Sequence, residues 1–145
     1  MSTMNRWTVA SEILTFVREH EDMVGVKVTA LWPGEDLADE TVWLDELAGE
    51  LSNPLMGSGR KYRDDNFTVP LNVRIVGKAT EEACMTRLAE VLGAIESVVA
   101  DHTEIAALSG VVTVSAPTVE MFGAETRDGF IGRGVVTIPV LSRLT

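Results

Sequence analysis

Between Phe67 and Val99 the hydrophobic period changes from two to about three and a half within a few residues, and that change limits the architectures open to the chain. Phe67, Val69, Leu71, Val73 and Ile75 alternate with Thr68, Pro70, Asn72 and Arg74, the pattern of a strand with one buried face. Thr80 then stands where a helix cap belongs, followed by Glu81 and Glu82 in the first turn, where the helix dipole favours negative charge. Beyond them Cys84, Leu88, Val91, Leu92, Ile95 and Val99 fall on one stripe of a helix. A strand apolar on one face that feeds a helix apolar on one stripe predicts a helix lying on a sheet.

The rest of the chain extends that layer. A first helix is expected from about Thr8 to His20, with Val9, Ile13, Phe16 and Val17 inward and Thr8 or Ser11 as its cap. Period two follows, with Val24, Val26, Val28, Ala30 and Trp32 on one side, then a short strand from Thr41 through Val42 and Trp43. Ser52 to Asn66 shows no period and reads as a loop, and two closing strands are expected near Gly110–Met121 and Phe130–Leu144, joined through Gly123, Asp128 and Gly129. The order helix, three strands, helix, two strands predicts an α+β fold: a single domain over 1–145, a mainly antiparallel sheet of about five strands, and two main helices on one face.

Two of the expected strands carry a proline in mid-run, Pro70 in "TVPLNVRI" and Pro139 in "TIPVLSRL". Proline cannot donate to a ladder, so each should sit at an edge, at a bulge, or where its missing N–H faces no partner. Two readings stay open. The prolines blunt free sheet edges, or they mark a surface where another subunit docks by its side chains.

Composition removes several function classes. With 22 acidic against 12 basic side chains the net charge is -10, the wrong sign for a protein that grips a nucleic-acid backbone. No apolar run approaches a membrane span or a signal peptide, so a soluble, non-exported chain is expected. The one cysteine, Cys84, lies on the apolar helix stripe, which suits a buried thiol in a reducing compartment better than a nucleophile. His20 and His102 fall near helix ends, where an imidazolium suits the carbonyl end of the dipole. Asp64 and Asp65 lack a third oxygen ligand at motif spacing and read as solvated charge. "GSGRK", Gly57 to Lys61, lacks the Ser or Thr and the strand-to-helix setting of a phosphate loop. No catalytic constellation emerges, and the chain is expected to be no enzyme, with neither cofactor nor metal.

The loop is more informative as a contact element. Pro54, Leu55, Met56 and Tyr62 are interleaved with Arg60, Lys61 and Arg63, and exposed Tyr, Met and Arg are enriched in protein interfaces. These seven residues, with Pro70 and Pro139, are the candidate subunit or tube interface; the basic cluster could instead touch DNA.

Taken in order, the N-terminal helix, the "WPG" turn at Trp32–Gly34, the "VWL" strand at Val42–Leu44, the long polar loop, the "FTVPLNVRI" strand entering a Thr-capped helix, and two closing strands resemble the tail-terminator proteins of long-tailed bacteriophages, also described as tail-completion or minor tail proteins. The resemblance spans roughly Val9 to Leu144. It implies a virion protein, assembled in the host cytoplasm, that forms a homo-oligomeric ring, a hexamer in that family. Such a ring caps the major tail tube protein, ends its polymerisation and meets the head connector, while genome DNA passes through the channel without specific binding. It implies no catalytic residues. A head-closure or neck connector protein is the nearest alternative, and a small ligand-binding α+β domain the next.

Overall fold

The computed structural model describes residues 5–34, 38–52, 63–105 and 111–144. Two helices, α1 (Arg6–Glu19) and α2 (Glu81–Asp101), and eight strands, β1 (Lys27–Thr29), β2 (Glu40–Leu44), β3 (Ala48–Ser52), β4 (Arg63–Ile75), β5 (Glu104–Ile105), β6 (Val111–Val114), β7 (Thr118–Thr126) and β8 (Gly129–Leu144), make up these residues, with a 3-10 turn at Glu21–Met23. The sheet runs β1-β2-β4-β8-β6-β5, with β3 also on β4 and β7 also on β8. All pairings are antiparallel except β1 with β2. The expected α+β class holds, with eight strands among the described residues where the periodicity indicated about five.

The sheet is built on one long ladder, β4 against β8, in register from Arg63↔Leu144 to Ile75↔Gly132. Phe67, Val69, Leu71, Val73 and Ile75 of β4 and Val136, Ile138 and Val140 of β8 are buried on the helix side. Against them lies the α2 stripe, with Cys84, Leu88, Val91, Leu92, Ile95 and Val99 all buried. Thr80 caps α2, its hydroxyl accepting from the Ala83 N–H at 3.1 Å. Helix and sheet approach closely because β8 offers glycines beneath them: a Cβ on Gly134 would meet Leu92 Cδ2 at 2.8 Å, and one on Gly132 would meet Leu88 Cδ2 at 3.2 Å. In α1, Val9, Ala10, Ile13, Leu14 and Val17 complete the core.

Four expectations are corrected. Where period two predicted a strand over Val24–Trp32, only Lys27–Thr29 pairs; Gly25 turns the chain at φ 84, and Val24 is 83% exposed. The Gly110–Met121 strand is two strands, separated at Ser115–Pro117, and β7 runs on to Thr126 through residues expected to turn. Ser52 and 63–66 are not loop: β3 pairs antiparallel with β4, Ser52 opposite Asp64, and the rest of that expected loop, 53–62, lies outside the described residues. Helix α1 starts at Arg6, earlier than Thr8 or Ser11 would cap it, and its N-cap Asn5 makes no side-chain capping bond.

Candidate assembly surfaces

Of the nine candidate interface residues, Pro54, Leu55, Met56, Arg60, Lys61 and Tyr62 lie outside the described residues. Arg63 opens β4 opposite Leu144.

Pro70 and Pro139 occupy central strands, not edges. They sit symmetrically in the β4–β8 ladder, Pro70 opposite Thr137 and Pro139 opposite Thr68. Each long strand is flanked on its outer side by two short strands in succession. β2 reaches Leu71 and β3 begins at Thr68, while β6 reaches Val140 and β7 begins at Thr137. Both prolines fall in these gaps. The Pro70 carbonyl accepts from Asp45 N–H at 2.9 Å, and the Pro139 carbonyl from Ser115 N–H at 3.0 Å, each donor being the first residue past its strand. In an antiparallel strand a residue's N–H and C=O point to the same side, so the missing donor faces the departing neighbour and leaves the β4–β8 ladder whole. The proline takes one bond, cannot return the other, and β2 or β6 ends there.

The groups expected to be solvated or near helix ends have structural partners. Asp65 is fully buried and receives Arg6 Nε and Nη2 at 2.7 Å each. That bond, ahead of the opposing effect of burial, holds the Arg6 guanidinium above its ordinary pKa. Asp64 points to the other face and pairs with Arg143 at 2.9 Å. The correction is physical: consecutive strand residues face opposite sides, so the acidic pair is split between two arginines. His102 stacks on Phe16 with ring centroids 3.8 Å apart, and His20 Nδ1 accepts from the Asp22 N–H at 3.1 Å. Burial pushes the Cys84 thiol up, only partly offset by Lys78, and the thiol donates to the Ile75 carbonyl. A cleft of about 260 Å³ beside it has Glu81 and Glu125 in its lining, both exposed carboxylates, with Met85, Phe130 and Ile131.

Away from the helices the sheet presents its second face, where the sequence pattern gave little guidance. Register places Lys27, Thr41, Arg74, Arg133 and Phe122 in one row across β1, β2, β4, β8 and β7. Beside it runs Thr29, Trp43, Asn72, Val135 and Glu120. The Arg133 guanidinium lies 5.7 Å from the Trp43 ring centre. Trp32 packs edge-on against Trp43 at 4.8 Å, so the Trp43 ring is buried while Trp32 stays 57% and Phe122 55% exposed. Strand parity alone could have put Arg74 on this face; its juxtaposition with Arg133 needed the strand pairing.

No protein-family model matches the chain, and no curated protein matches it. Among solved structures, a chain from the virion of a native gene transfer agent (GTA) particle shares its fold, with a TM-score of 0.51 at 15% identity over 93% of this chain and 94% of that one.

Proposed function

We propose that this chain is a structural virion protein, and within that class a tail terminator: copies close into a ring that caps the tail tube, stops its polymerisation and joins the tail to the head connector. One observation carries the reading. The fold matches a chain of a virion particle over 93% of its length and 94% of that chain, so the likeness extends over nearly the whole of both rather than a shared fragment. Several charged groups agree with it: Asp65 ties β4 to Arg6 of α1, and Asp64 ties β4 to Arg143 of β8, bonds between elements of the kind a scaffold requires. A net charge of -10 around a channel would repel phosphate and let DNA slide, where a basic ring would retain it.

The test is to polymerise the major tail tube protein of the encoding phage or prophage with and without this chain, and to measure tube lengths by negative-stain microscopy. Shortened tubes with a ring at one end support the terminator. A chain that ignores tubes and binds the head connector's ring belongs to the neck instead, and indifference to both overturns the virion reading.

A further inference from the structure

We propose that the sheet face opposite the helices is the contact surface for a second copy of this chain, and that it receives the acidic outer side of the neighbour's α2. This deepens the ring reading and rests on it.

The first support is an unfavourable arrangement within one subunit. Arg74 and Arg133 are directly opposed across the β4–β8 ladder, and like charges so placed repel. Among the described residues neither has a carboxylate within ion-pair distance. The nearby acids on this face do not serve: Asp45 accepts from Asn72, and Glu120 sits one row away, opposite Val135. Two forked guanidinium donors side by side, one braced on Trp43, form a site for carboxylates brought from outside.

Its flanks supply the second support. Trp32 and Phe122 remain more than half exposed beside the arginines, and a cationic centre among large aromatics is the composition of an interface hot spot. The platform does not suit stacked bases, because the Trp43 ring is already covered by Trp32 and Arg133.

The complement lies on the molecule itself. Helix α2 carries Glu81, Glu82, Glu90, Glu96 and Asp101 against Arg87 alone. Glu82 and Glu96 are exposed and, among the described residues, form no ion pair. Ala89 and Gly93 lie between them, also exposed, and their low profile lets a sheet face with bulky side chains come close. Because α2 and the arginine row are on opposite sides of the sheet, the contact joins the front of one copy to the back of the next. Such heterologous contacts close into rings when their rotation permits.

The experiment is sedimentation velocity over a range of concentrations on the full chain, on Arg74→Glu/Arg133→Glu, on Glu82→Arg/Glu96→Arg, and on an equimolar mixture of the two variants, each checked for an unchanged thermal melt. The helix variant alters only exposed side chains and so retains the fold even if the sheet variant does not. The wild type should self-associate, each variant alone should associate at least about tenfold more weakly, and the mixture should recover most of the loss, since opposite charges again meet at every contact. A monomeric wild type, an unaffected helix variant, or a mixture that does not recover overturns the proposal. So does a wild type that binds a single-stranded oligonucleotide through the arginines without self-associating. A chain that caps tubes as a monomer sinks this contact and spares the terminator role; one that associates through this face yet leaves tube length unchanged does the reverse.

Discussion

Glu40 shows how single side chains hold this molecule's layers together. Its carboxylate accepts from Lys78 Nζ and from Arg87 Nε, both at 2.8 Å, and Arg87 also donates to the Asp22 carbonyl at 2.9 Å, so one group joins β2, α2 and the 3-10 turn. Burial works against its charge, but the two cations outweigh it and hold the carboxyl below its ordinary 4.5. A carboxyl depressed on folding stabilises fully above its unfolded pKa and loses that contribution as pH falls through the folded one. Urea unfolding of Glu40→Gln should therefore show a loss on the order of 1–2 kcal/mol near neutral pH, and the gap to wild type should close as pH falls below about 4. A gap independent of pH would assign the loss to packing. Gly134 makes a steric counterpart. Its added Cβ would meet both Leu92 methyls, at 2.8 and 3.0 Å, so Gly134→Ala should destabilise by about 1–3 kcal/mol despite the better strand propensity of alanine. An unchanged urea midpoint would mean that α2 lifts off the sheet freely.

Among the elements, those with a single unbroken period could be read directly and those assembled from several partners could not. The α2 stripe and the alternation of β4 named their buried residues correctly because each depends on one local geometry. β3 and the division between β6 and β7 escaped, and the strand that holds β1 was expected too long, because an antiparallel partner and a proline on the neighbouring strand bound the first two and the turn at Gly25 delays the third. The candidate interface was legible only as composition. Six of its nine residues lie outside the described residues, while the arginine row is written across five strands and has no linear signal. Pro70 and Pro139 looked anomalous in sequence because a lone strand does not reveal that its neighbour changes halfway along. That account predicts a mild phenotype. Pro139→Val should retain the fold and lose only about 0.4–1 kcal/mol, chiefly through a more flexible unfolded chain. Chemical denaturation checks this, and a loss of several kcal/mol would show that the ring braces the gap.

At the scale of the whole molecule, stability should concentrate where the chain's middle meets its end. The β4–β8 ladder joins the central strand to the C-terminal one, and every other strand except β1 and β5 pairs with one of these two. Nothing in the sheet can form durably before that long-range pairing, which favours slow, cooperative folding. The helices cover this ladder on one side, and Val69, Leu71, Val136 and Ile138 show no exposure. β7, by contrast, is exposed at eight of its nine positions, with only Val119 half-buried, and it hangs on β8 by one edge. Native-state hydrogen exchange on the isolated chain should therefore find its slowest amides in Val69, Leu71, Val136 and Ile138, opening only with global unfolding, and much faster exchange along β7. Self-association should change this exchange pattern. Phe122 of β7 lies in the row with Arg133, so association through that face should slow β7 selectively and leave the already protected ladder unchanged. Protection gained instead only at β5 and β6 would place the contact on the opposite end of the sheet.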